Sequence, residues 1–123
     1  MQPAALLDYL AAKPGATPSY PFDATTRVYK VGNKMFALVS EDQDPLRINL
    51  KCDPDQALAL RAQYESVLPG YHMDKKHWNT LVLDGSLGDT LVKELIDHSY
   101  DLILDSLPKK IQKELVPHEC PQP

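Results

Sequence analysis

Two strand-like runs, Arg27 to Val31 and Lys34 to Ser40, are separated by only Gly32-Asn33, and this constrains the fold more than any other feature of the chain. A two-residue connection of that composition supplies positive φ at both central positions. It sends the second run back antiparallel to the first. A parallel pair would need a crossover of a dozen or more residues. A third run, Pro45 to Lys51, alternates strictly. Leu46, Ile48 and Leu50 point one way, and Arg47, Asn49 and Lys51 the other. The alternation predicts an antiparallel sheet with one apolar face and one polar, basic face.

The apolar face needs a cover, and three amphipathic helices supply it. The first is predicted from about Pro3 to Lys13, with Leu6 and Leu10 on one face and Pro14-Gly15 as its stop. The second opens on Asp53-Pro54-Asp55-Gln56, with Asp53 as N-cap and Pro54 in the first turn, and places Leu60 and Tyr64 one turn apart. The third runs from about Asp89 to Asp105, its apolar stripe built on Leu91, Val92, Leu95, Ile96, Ser99, Leu102 and Ile103. Pro108 starts a short final turn ending near Leu115. Residues 16–25, with Pro18 and Pro21, read as an ordered loop held by Tyr20 and Phe22.

Pro69 to Thr80 reads as a second hairpin. Tyr71 to Met73 is its first strand, Asp74 to Lys76 its turn, and Trp78 to Leu83 its return. The element order is then α-β-β-β-α-β-β-α. The predicted fold is a two-layer α+β domain with a five-stranded antiparallel sheet and helices packed on one face. It occupies residues 1–116, followed by a flexible Pro-rich tail over 117–123.

At 123 residues, 43% of them hydrophobic, one core is the expectation. No apolar run approaches the ~20 residues that span a bilayer, and the start of the chain lacks the pattern of a signal peptide. A cytoplasmic protein without membrane contact is expected. Cys52 and Cys120 form no disulfide framework, and Cys52 reads as an inert thiol.

Three patches are similar to the MmcQ/YjbR family. They are Val28-Tyr29-Lys30-Val31 leading into Gly32-Asn33-Lys34-Met35-Phe36-Ala37, the stretch from Pro69 to Thr80, and Ser99-Tyr100-Asp101-Leu102-Ile103 followed by Leu107-Pro108-Lys109. The resemblance spans about Leu6 to Ile111. Where this chain has Asp74 and Lys76, the family often has Asn and Arg. The resemblance implies the same element order, a fold related to type III secretion chaperones, and DNA binding through a double wing.

The charge distribution bears on that function independently. A net charge of −4 argues mildly against a nucleic-acid ligand. Yet the strand regions 26–40, 45–51 and 71–83 hold Arg27, Lys30, Lys34, Arg47, Lys51, Lys75 and Lys76 against Asp74 alone. That is a balance of +6, which leaves −10 for the remainder. A cationic sheet on an acidic body attracts phosphates. The plainer alternative is that these lysines are solvated charges that discourage edge pairing.

Trp78 offers a base-stacking ring, but a lone Trp at a strand start more often packs. His72 and His77 with Asp74 fall short of a converging metal set, and structural hydrogen bonds around the turn account for both histidines. Asp97, Asp101 and Asp105 form a solvated acidic helix face. No phosphate loop, nucleophile elbow or metal-ligand pair on a helix is present.

The expectation is a non-enzymatic protein with no cofactor and no metal, which binds DNA weakly and with little sequence selectivity through two basic hairpin wings. Its candidate contact set is Lys30, Lys34, Arg47, Lys51, Lys75, Lys76, His77 and Trp78. The alternative is a protein-interaction or chaperone-like module that uses the open sheet face. A monomer or weak dimer fits both.

Overall fold

Gly32 and Asn33 have φ of 57° and 68°, so the first hairpin closes with positive φ at both turn residues. The computed structural model describes residues 2–70 and 73–115. Its elements are α1 (Pro3–Ala11), β1 (Thr17–Ser19), β2 (Thr26–Val31), β3 (Lys34–Ser40), β4 (Arg47–Lys51), α2 (Pro54–Gln63), β5 (Val67–Pro69), β6 (Trp78–Val82), α3 (Asp89–Asp105) and α4 (Lys109–Leu115). The strands form one sheet, ordered β1-β2-β3-β4-β6-β5, in which every neighbouring pair is antiparallel.

The sheet has six strands rather than five. The added strand, β1, lies in the stretch predicted as a loop. All three of its residues are exposed, so no apolar alternation marks it. It holds to β2 through the register Thr17↔Lys30, Pro18↔Tyr29 and Ser19↔Val28, and an edge position tolerates Pro18. The second hairpin also differs. The partner of β6 is Val67–Pro69, not Tyr71 to Met73. Met73 sits in a bend, and Tyr71 and His72 lie outside the described residues, as does the predicted tail over 117–123. Val67 is the residue with something to bury. It is 2% exposed and belongs to the main core.

That core lies between the sheet and the helices. Leu6 and Leu10 of α1, Ala57 and Leu60 of α2, and Val92, Leu95, Ile96, Tyr100 and Ile103 of α3 meet Tyr29, Val31, Phe36, Ala37, Val39, Ile48, Leu50 and Leu81. Ile48 and Leu50 are buried with Leu46 packed against them, and Arg47, Asn49 and Lys51 alternate onto the other face, as the sequence pattern requires. Asp53 caps α2 as predicted, its Oδ1 accepting from the amides of Asp55 at 3.1 Å and Gln56 at 3.4 Å.

One irregularity ties α3 to the sheet. Tyr29 pairs with Ala37 but Lys30 with Met35, so Phe36 is an extra residue in β3. Both Phe36 and Ala37 then face the core, and the Phe36 ring meets Tyr100 edge-on at 5.3 Å. The bulge carbonyl accepts from the fully buried Ser99 hydroxyl at 2.6 Å, and the Ser99 oxygen accepts from the Lys51 amide at 2.9 Å. A hydroxyl inside an apolar helix stripe is thus satisfied on both sides.

Candidate nucleic-acid interface

The sheet face away from the helices carries three rows of side chains, fixed by the strand register. The central row crosses all six strands through Ser19, Val28, Leu38, Asn49, Thr80 and Leu68. At one end lie Lys30, opposite Thr17 and Met35, and Lys51, opposite Trp78. At the other end Arg47 lies between Ser40 and Val82. Lys51 and Arg47 are four residues apart on β4, about 13 Å at ~3.3 Å per residue.

This face is less polar than the alternation in β4 suggests. Val28, Leu38 and Trp78 form a second buried cluster on it, with Met35 and Met73 packed against them. Trp78 is 8% exposed, so its ring is used in packing and is not presented for base stacking. The run Met35-Phe36-Ala37-Leu38-Val39 carries the sequence signal for this second cluster. Five consecutive apolar residues mark a strand covered on both faces.

The hairpin tips are docked rather than free. A Cβ on Gly32 would lie 2.6 Å from Leu107, so the β2–β3 turn packs on the corner between α3 and α4. Lys34 turns with it, and its Nζ donates to Ser106 Oγ at 3.2 Å, beside the C-terminus of α3. Lys34 therefore belongs to the helical side, where the end of α3 carries partial negative charge. The first predicted wing thus stands apart from Lys30 and Lys51, with Lys34 exposed beside Ser106.

The second tip is the β5–β6 connection, residues 70–77. Gly70 donates its amide to Trp78 O at 2.9 Å, and a Cβ there would meet Trp78 Cβ at 2.7 Å, so this approach needs glycine. Arg61 of α2 holds the loop from below. Its Nε donates to Asn79 Oδ1 at 2.7 Å, and its second nitrogen donates to the Lys75 and Trp78 carbonyls. Nothing in the spacing of Arg61 on its helix marks this role.

Asp74 turns inward on the loop, accepting from the Lys76 amide at 2.9 Å and pairing with His77 Nδ1 at 2.7 Å. The His77 bond, and then the Lys76 amide, hold its carboxyl below the usual carboxylate range. Lys75 and Lys76 are exposed, and His77 is half-buried.

Of the strand-region cations, the register thus puts Lys30 and Lys51 at one end of the uncovered face, while Lys75 and Lys76 stand on the neighbouring β5–β6 loop beside His77 and line a depression with Pro54, Asp55, Leu58 and Arg61 of α2. Arg47 stands at the opposite end, Lys34 on the helical side, and Arg27 in an ion pair with Glu41 at 2.8 Å. The acids of α3, Glu94, Asp97, Asp101 and Asp105, lie on the helical side. Among the described residues no group of three His, Cys, Asp or Glu side chains is placed to hold a metal ion, and no helix is long and apolar enough to cross a membrane.

These features define a class, a small α+β protein with one sheet face covered by the helices and one that the described helices leave uncovered, on which Val28, Leu38, Trp78 and Thr80 are nonetheless buried. The chain belongs to the YjbR family, whose family model matches residues 11–102. It is 40% identical over 111 residues to the Escherichia coli K12 protein named "Uncharacterized protein YjbR", a match covering 90% of this chain and 94% of the relative. It is 44% identical over 55 residues to Bacillus subtilis "Uncharacterized protein YyaQ", covering 45% and 46% of the two chains. The crystal structure of Deinococcus radiodurans protein DR2400, whose description gives the domain DUF419, superposes with a TM-score of 0.86 at 40% identity, over 91% of this chain and 86% of that one. A Pseudomonas syringae crystal structure gives a TM-score of 0.73 at 28% identity, over 84% and 99%.

Proposed function

We propose that this protein is a non-enzymatic DNA-binding protein that grips duplex phosphates with the lysine end of its uncovered sheet face. One observation carries the reading. Lys30 and Lys51 share that end, the exposed Lys75 and Lys76 stand on the adjoining β5–β6 loop with Asp55 of α2 nearby, and the acid of the loop itself, Asp74, is already engaged by His77 and the Lys76 amide. Contacts from lysines to phosphate position a protein without reading bases, so selectivity between sequences is low. In this reading Lys75 and Lys76 of the β5–β6 loop make the contact beside Lys30 and Lys51, and Arg61 of α2 holds that loop.

The test is an anisotropy titration with unrelated duplexes at several salt concentrations. Replacing Lys75 and Lys76 together by Ala weakens binding on all sequences alike. The log–log salt slope becomes shallower by about 0.9 for each duplex phosphate that the variant no longer neutralises. The loop survives this change, because Arg61 grips a backbone carbonyl and Asp74 a backbone amide. Absence of DNA affinity at ~50 mM salt, where phosphate contacts are least screened, sinks the reading.

A protein-interaction role is the second reading, favoured by the apolar cluster on the same face, whose Met35 and Met73 are half-buried over the buried Val28, Leu38 and Trp78. Binding through that cluster would persist as salt rises, in contrast to phosphate binding.

A further inference from the structure

The Arg47 end of the uncovered face differs in kind from the lysine end. A depression of about 290 Å³ is lined there by Ser40, Gln43, Arg47, Asn49 and Thr80. All five side chains are polar, one is cationic, and none is acidic. Ser40 and Arg47 are direct register partners, as are Asn49 and Thr80, so four of the five stand on adjacent rigid strands. Thr80 Oγ1 donates to Asn49 Oδ1, which fixes the orientation of that amide. Gln43 closes the rim from the β3–β4 loop, its backbone N–H donating to Ser40 O at 3.3 Å.

Arg47 is half-buried, yet among the described residues its guanidinium makes no ion pair and no side-chain hydrogen bond. The acids nearest in sequence do not serve it. Glu41 is bound to Arg27 and to the Tyr20 hydroxyl, and Asp42 and Asp44 are exposed and do not line the depression. A partly desolvated guanidinium holds five donors in a planar fork that matches a carboxylate bidentately.

We propose that this depression is a binding site for a small monocarboxylate with a hydroxylated body, distinct from the lysine end and independent of DNA binding. The single cation neutralises one negative charge. A phosphate monoester brings about −1.5 to −2 at neutral pH and would leave charge uncompensated. The Ser40 hydroxyl and the Gln43 side-chain amide beside Arg47 suit hydroxyl groups on the ligand rather than further charge.

Sodium lactate, acetate and inorganic phosphate, each added to about 50 mM at constant ionic strength, are the probes, followed by nitrogen-15 amide spectra of the full chain. Lactate should give saturable shifts at Ser40, Gln43, Asn49 and Thr80, with acetate weaker and phosphate weaker still. R47Q should raise the midpoint at least about tenfold, as removal of a charge-assisted fork implies, with the rest of its spectrum unchanged. The variant carrying Lys75→Ala and Lys76→Ala should bind lactate as the wild type does. Shifts that do not saturate, that survive in R47Q, that favour phosphate, or that fall instead on the β5–β6 loop overturn the proposal.

Discussion

Cys52 shows how a single side chain acquires its properties from its position at the end of β4. The residue is 4% exposed among Leu50, Leu60 and Leu81, and its amide continues the ladder by donating to His77 O at 2.7 Å. Burial, and then the charge of Asp53, pushes its thiol up to about 11. The reactive thiolate is therefore scarce near neutral pH, and the sulfur is also shielded. In a Cys120→Ser background, iodoacetamide at pH 8 should leave Cys52 unlabelled in the folded protein and label it fully in denaturant. Rapid labelling without denaturant would refute this account. The inert thiol is legible in the sequence. The packing of Trp78 is legible only in part, because a lone aromatic does not declare which sheet face it covers.

At the scale of elements, strand alternation and helix capping identify most of the fold, and the parts they miss have a common cause. β1 and β5 are three-residue edge strands, too short for a period to register, and their pairing is decided by β2 and β6. The candidate site is half legible for the same reason. Composition reveals the lysines, but not that Leu107 clamps the first turn or that Arg61 holds the second. The α1–α3 contact is also hidden, and it has a pH signature. Tyr9 donates to Asp97 Oδ1 at 2.7 Å, Lys13 pairs with the same carboxylate, and the hydrogen bond to Asp97 pushes the phenol up to about 12. Folding thus favours the protonated phenol. Its contribution is complete below the unfolded value near 10 and disappears as pH rises through about 12. Tyr9→Phe should cost on the order of 1 kcal/mol in urea unfolding at pH 8. The gap between variant and wild type should close as pH passes from 10 toward 12. A gap that stays constant over that range would show that the hydrogen bond contributes nothing.

For the molecule as a whole, the two faces carry opposite charge. The helical side holds the acids of α3, and the uncovered side holds the lysine end, so a net charge of −4 describes neither. Net charge acts at long range and is screened within about 10 Å at 0.1 M salt, whereas phosphate contact is local. Two single reversals separate these effects. Lys51→Glu and Lys93→Glu each add two negative charges to the total. Lys51 lies on the uncovered face opposite Trp78. Lys93 is exposed on α3, with its Nζ 5.5 Å from the centre of the Tyr9 ring, on the side of α1. If the lysine end holds DNA, Lys51→Glu should lower affinity about tenfold or more at 0.1 M salt and make the salt slope shallower, because a counterion-releasing contact becomes a repulsive one. Lys93→Glu should change affinity by less than about twofold, since its charge is screened from a duplex on the far side of the sheet. Equal losses from both reversals would mean that DNA responds only to overall charge. The uncovered face would then be left to a protein partner.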